Sequence, residues 1–280
     1  MRVQIGDVKL FFDVEGAKLR PDGAKMREVP TVVLLHGGPG FDHSNFKPAF
    51  SRLSEIAQVV YLDHRGNGRS DRSDTSKYNL PQWGDDVRAF CEALGIERPI
   101  VMGVSFGGMV AMSYATRHPE HPGKLVLAST AARMRPDRSL EVFEQLGGAE
   151  VRSAAERFFA NPGLATMPAF VEKAFPVYNR TPMEPEFTLR SVTNFDLTFD
   201  FFSNESKTFN MLPALSKIKC PTLVTSGNRD PITPLADSQD IAAAIPREHV
   251  RLEVFEGAGH GAHRDEPERY FKVLDEFIAG

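Results

Sequence analysis

Cysteine is nearly missing from this 280-residue chain. The two that occur, Cys91 in a helical pattern and Cys220 at the start of an apolar run, form neither a disulfide framework nor part of a metal site. No stretch approaches the ~18–20 consecutive apolar residues that a bilayer span needs, so no membrane partner is expected. The opening Met1-Arg-Val-Gln-Ile-Gly-Asp-Val-Lys9 lacks the apolar block of a signal peptide, which makes the cytoplasm the expected compartment. Basic residues are not in excess. With 33 Lys and Arg against 37 Asp and Glu, the net charge of −4 is spread over mixed signs and gives nucleic acid no electrostatic foothold. There is no internal repeat, no low-complexity tract and no metal-ligand spacing, so neither a metal nor a cofactor is expected. What remains is a chain with 41% hydrophobic residues, long enough to bury a large core. Its oligomeric state is left open.

The most informative stretch is Pro99-Ile-Val-Met-Gly-Val-Ser105-Phe-Gly-Gly-Met-Val110, which sets one serine in a G-x-S-x-G motif between an apolar run and a helical pattern. A serine on so tight a strand-to-helix turn has its hydroxyl exposed, and Gly103 and Gly107 keep larger side chains out of the crossing. Upstream, Val87, Phe90, Cys91 and Leu94 recur at helical spacing and Gly95 ends the pattern.

A nucleophilic serine needs a base, an orienting acid and oxyanion donors. Near the C-terminus, Arg251-Leu-Glu-Val-Phe-Glu-Gly-Ala-Gly-His260-Gly runs as an alternating strand into a glycine-rich loop that presents one histidine. Before it, the apolar run after Cys220 delivers Asp230 to a loop. Asp237 and Asp240 lie nearby, but on what reads as the following helix. The candidate triad is therefore Ser105, Asp230 and His260: the histidine takes the serine proton, and the aspartate fixes its tautomer. The run Thr31-Val-Val-Leu-Leu-His36-Gly-Gly-Pro-Gly40 opens a strand into a loop able to turn backbone N–H groups inward, so Gly38 and Phe106 are the candidate oxyanion donors. His36 is read as shaping that loop through hydrogen bonds and, less directly, as a substrate contact.

Taken together, Leu35-His-Gly-Gly-Pro-Gly40, Leu62-Asp-His-Arg-Gly-Asn-Gly-Arg-Ser70 and Gly103-Val-Ser-Phe-Gly-Gly108 with the late Asp and His resemble an α/β-hydrolase close to the proline iminopeptidase family. The order Ser, Asp, His matches that fold. The resemblance covers most of the chain outside a middle segment and implies a triad of Ser105, Asp230 and His260, with Asp63 to Ser70 a loop outside the catalytic machinery. The chain departs from that family where it has His64 in place of Gln, Phe106 in place of Trp, and no Trp-Glu element in the cap; its one tryptophan, Trp83, precedes the elbow.

Along the chain, Val3 to Val14 reads as a hairpin, and strands recur at Thr31–Leu35, Val59–Asp63, Ile100–Val104, Lys124–Ser129, Thr222–Ser226 and Arg251–Phe255 with helical patterns between most of them. The expected class is α/β, a mostly parallel central sheet with helices on both faces and the site at the strands' carboxyl ends. Between Ala131 and Lys219 the rhythm breaks into helical fragments such as Leu140–Leu146 and Val151–Phe159. This predicts a helical cap at 131–219 inserted into a core made of 1–130 and 220–280, and the cap is expected to supply the pocket walls. Phe170, Phe175, Tyr178, Phe187, Phe195, Phe199, Phe201, Phe202 and Phe209 are candidates for an apolar lining. Glu184, Glu186, Asp196, Asp200 and Glu205 are candidates for binding a substrate ammonium.

Three readings follow. A serine hydrolase acting on a small amide or ester, with a small molecule or short peptide as substrate, leads. It includes release of N-terminal proline, or lactone and carboxylester cleavage, as narrower alternatives. Epoxide- or haloalkane-type chemistry on the same scaffold would place an aspartate where Ser105 stands. A non-catalytic binding protein on the scaffold would not require the full set.

Overall fold

The computed structural model describes residues 1–280. Ten strands form: β1 (Arg2–Ile5), β2 (Val8–Glu15), β3 (Leu19–Asp22), β4 (Lys25–Glu28), β5 (Thr31–Leu35), β6 (Gln58–Leu62), β7 (Ile100–Val104), β8 (Lys124–Ala128), β9 (Thr222–Gly227) and β10 (Val250–Phe255). Eight build one sheet in the order β1-β2-β6-β5-β7-β8-β9-β10. β1–β2 and β2–β6 pair antiparallel, while every pairing from β6 to β10 is parallel. β3 and β4 make a separate polar ribbon that the sequence reading passed over, turned by Gly23 at φ +59°.

The helices are α1 (Leu80–Ala93), α2 (Phe106–Arg117), α3 (Pro136–Ala160), α4 (Met167–Lys173), α5 (Pro185–Arg190), α6 (Phe195–Ser203), α7 (Glu205–Thr208), α8 (Leu235–Ala244), α9 (Ala262–Asp265) and α10 (Pro267–Ala279). β5 is buried along its whole length and β7 at all but its last residue, because both faces are covered. Val33 and Leu35 of β5 join one buried cluster with α1, α2 and α8, whereas Val32 and Leu34 join the other with α10 and the turn around Phe50. Helices therefore lie on both sides.

Residues 131–219, between β8 and β9, carry α3 to α7 and no strand. The two expected fragments at 140–146 and 151–159 are limbs of α3 meeting at Gly148, whose φ of 77° and ψ of −173° break the helix. This region has its own small core of Leu140, Phe143, Val151, Phe158 and Phe170. It is also anchored below, since Leu197 and Phe201 of α6 belong to the main core beside Phe106 and Trp83. No helix is long and apolar enough to cross a membrane.

Candidate active site

Ser105 sits between β7 and α2 at φ 55° and ψ −119°, a left-handed backbone that costs a non-glycine residue on the order of 1–3 kcal/mol. The surroundings hold it there. Ser105 N–H donates to the Ala128 carbonyl at 2.9 Å, and the Ser105 carbonyl accepts the Thr130 hydroxyl at 2.7 Å. A Cβ on Gly103 would strike the Gly107 carbonyl, and one on Gly107 would strike the Leu35 carbonyl, so strand and helix close to this distance only with glycine at both places. The Ser105 side chain makes no capping bond to its own helix.

Asp230, beyond β9, is completely buried. Its Oδ1 accepts the amides of Ile232 at 2.8 Å and Thr233 at 3.0 Å, and its Oδ2 accepts the Thr233 hydroxyl at 2.8 Å. The same Oδ2 contacts His260 Nδ1 at 2.8 Å. An ionised carboxylate only accepts, so Nδ1 carries the ring proton and Nε2 keeps a lone pair. His260 and Ser105 line one cavity without a direct hydrogen bond between them; in unliganded sites such contacts are often long and tighten around substrate.

The loop of His36 to Gly40 lies across this elbow. A Cβ on Gly37 would sit 3.2 Å from Ser105 Cβ, and Gly38 adopts φ +57°. Gly38 and Phe106 both face the cavity with Ser105. Phe106 opens α2, so its amide has no partner within the helix and is free to donate to a ligand. His36 does not reach the cavity. It is fully buried, with Nδ1 3.0 Å from the Gly37 carbonyl and Nε2 accepting the His64 amide at 3.3 Å, so both ring nitrogens are spent on shaping the loop. Burial lowers its proton affinity, which keeps the ring neutral.

The cavity encloses about 250 Å³ and reaches from this loop into the cap. Phe158, Phe159, Phe170, Phe175, Phe187, Phe201 and Phe202 wall it with Met134, Met167 and Met183. Phe195 and Phe199, expected in the pocket, are not there; they stack on each other at 6.4 Å, and Phe195 packs on Phe41. Phe209 also lies outside it. None of the five cap acids faces the cavity. Glu184 is exposed and 3.6 Å from Arg190, Glu186, Asp196 and Asp200 are exposed, and Glu205 accepts the Leu80 amide at 3.0 Å. The four exposed carboxylates stay in water, which is the cheaper solution for a carboxylate with no buried partner.

Two positioning groups escaped the sequence reading. The Tyr178 carbonyl accepts the His260 amide at 2.7 Å, and Asn179 Oδ1 accepts the Gly261 amide at 2.5 Å, so a cap segment clamps the histidine loop. A backbone carbonyl has no side-chain signature. No group of three or more His, Cys, Asp or Glu is placed to hold a metal ion.

A family model described as alpha/beta hydrolase fold matches residues 30–267. The chain is similar to proline iminopeptidase PfmaB of Pestalotiopsis fici, with 28% identity over 278 residues covering 94% of this chain and 97% of that protein. It is similar to a putative carbamate hydrolase of Caulobacter sp. strain K31, with 28% identity over 256 residues covering 89% and 91%. Among solved structures, proline iminopeptidase from Mycobacterium smegmatis superimposes with a TM-score of 0.77 at 25% identity, covering 100% of this chain and 97% of that one.

Proposed function

The chain belongs to the α/β-hydrolase fold family, and from that premise we propose that it is a serine hydrolase that cleaves a small, largely apolar ester or neutral amide through an acyl-enzyme. Ser105 Oγ attacks the substrate carbonyl while its proton passes to His260 Nε2. Asp230 keeps Nδ1 protonated and steadies the imidazolium that forms. The amides of Gly38 and Phe106 meet the charge that develops on the carbonyl oxygen. The proton then leaves with the alcohol or amine, and water activated by the same imidazole hydrolyses the acyl-enzyme to the acid and free Ser105.

One observation carries the substrate side of this reading: the cavity over Ser105 has no carboxylate among its lining side chains. An enzyme that requires a free N-terminal amine must hold an ammonium group beside the scissile bond, and burying that charge unpartnered costs several kcal/mol. Here the walls are mostly phenylalanine and methionine, and the one Lys, Arg, Asp or Glu among the lining residues is a cation, Arg264. Similarity over nearly the whole chain to proteins named proline iminopeptidase favours the second reading, release of N-terminal proline.

The deciding experiment compares kcat/KM for prolyl-anilide, its N-acetylated form and a short-chain nitrophenyl ester. The expected result is that the ester is the best substrate and that acetylation does not abolish anilide cleavage. A large preference for the free amine would overturn the ester reading in favour of the iminopeptidase.

A further inference from the structure

Arg264 is at odds with its surroundings. It lies on α9, four residues beyond His260, and lines the apolar cavity, yet its guanidinium makes no ion pair and donates no hydrogen bond within the protein. Two other arginines withdrawn from solvent in this chain are bracketed by carboxylates. Arg65 is held by Asp86 at 2.7 Å and Asp7 at 3.0 Å, and Arg138 by Asp237 at 2.6 Å and Asp240 at 2.8 Å.

The acids near Arg264 are already engaged. Asp265 and Glu184 are close enough to favour its charge, but the Asp265 carboxylate accepts the amides of Gly259 at 2.8 Å, Thr181 at 2.7 Å and Arg180 at 3.1 Å, and Glu184 leans to Arg190. Burial lowers the proton affinity of Arg264, but a guanidinium stays protonated at any working pH, so it stands at the cavity wall as a cation with no carboxylate in direct contact. Asn45, on the turn His43–Phe46 against which α5 packs, also lines the cavity, and its Oδ1 is buried without a hydrogen bond.

We infer that Arg264 is the specificity-determining residue of this pocket and that it takes the carboxylate of a substrate that is otherwise apolar. A guanidinium fork matches a carboxylate with two parallel hydrogen bonds, and one cation balances a single negative charge, which favours a carboxylate over a phosphate dianion. The inference rests on the hydrolase reading for its substrate class, but anion binding at Arg264 is measurable without turnover.

The test uses 4-nitrophenyl monoesters of C4, C6 and C8 dicarboxylic acids against the neutral 4-nitrophenyl acyl esters of equal length, with 4-carboxyphenyl against phenyl butyrate to place the anion on the leaving side. Wild type should prefer the charged member of at least one pair by roughly 10- to 100-fold in kcat/KM. Arg264→Met should bring that ratio to one or below, and Arg264→Lys should keep part of it. The ratio is insensitive to general damage in either variant. In parallel, calorimetry on Ser105→Ala should show monomethyl succinate, adipate or suberate binding more tightly than the matching dimethyl ester, and the difference should vanish on adding Arg264→Met. Binding that depends on Arg264 without any ester turnover would sink the hydrolase reading and leave this inference standing. Ratios near one in wild type for every pair, or unchanged by Arg264→Met, would overturn it.

Discussion

The sheet and the cap contrast in how tightly their sequences constrain them. In the sheet, the elbow closes only with glycine at 103 and 107, and β5 and β7 are buried on both faces. In the cap, a kinked helix and several short ones stack phenylalanines against one another, and Gly163 has nothing within 4 Å of where a Cβ would be. On the proposed reading the chemistry belongs to the sheet, and most of the apolar pocket wall comes from the cap, with Arg264 of α9 contributed from the core side. The same division lets relatives named for different substrates share this fold.

The largest effect should come from removing the nucleophile. Ser105→Ala is expected to lower kcat by on the order of 10⁴ to 10⁶ while the thermal transition stays close to wild type, because the hydroxyl caps nothing. Turnover that survives in the purified variant would break the assignment of chemistry to the elbow.

Next comes packing. Gly107→Ala drives a methyl group into the Leu35 carbonyl, so a loss on the order of 3 kcal/mol or more, or failure to fold, is expected from chemical denaturation. Gly163→Ala in the cap should change stability by no more than ~1 kcal/mol, and in the favourable direction, by restricting the unfolded chain. Equal costs at the two positions would erase the contrast between sheet and cap.

A smaller effect concerns acid stability. His64 is buried beside His36 and Phe106, and burial, reinforced by the neighbouring His36, holds its proton affinity well below the ordinary imidazole range. Above the unfolded-state value near 6.5 both states are neutral, and His64 adds no pH dependence. Below it the unfolded chain takes up a proton that folded His64 refuses, so stability falls by about 1.4 kcal/mol per pH unit, up to about 2 kcal/mol at pH 5. Denaturant midpoints at pH 7 and pH 5 should therefore separate less in His64→Gln than in wild type. The same separation in both proteins would show that His64 is not the group that titrates.

How much could be read from the sequence follows the same division. β5 and β7 were legible to within a residue because strands covered on both faces read as largely apolar runs bounded by turn residues. Ser105, Asp230 and His260 were legible as turn residues at strand ends, and the structure brings the last two into contact. The β3–β4 ribbon was missed because its strands are charged and lack alternation, although Pro21-Asp22-Gly23 is a usable turn signal.

In α6 the sequence failed for a different reason. Phe195, Phe199 and Phe202 fall on one face of α6, within about 60° of one another at 3.6 residues per turn, and Phe201 lies apart, so periodicity does not say that Phe201 and Phe202 meet the cavity while Phe195 and Phe199 do not. The cap acids were misplaced because nothing in a short helix of mixed polarity marks which side faces water. Arg264 gave no signal at all: its meaning lies in the carboxylate it lacks, which only the fold reveals.

The most direct test of the claim that the sheet carries the chemistry is labelling with an alkyl fluorophosphonate followed by peptide mapping. Wild type should take up one label, on Ser105, and His260→Ala, folded as judged by circular dichroism, should take up almost none. Equal labelling of both proteins, or a label on any other residue, would contradict a serine activated by His260 and Asp230.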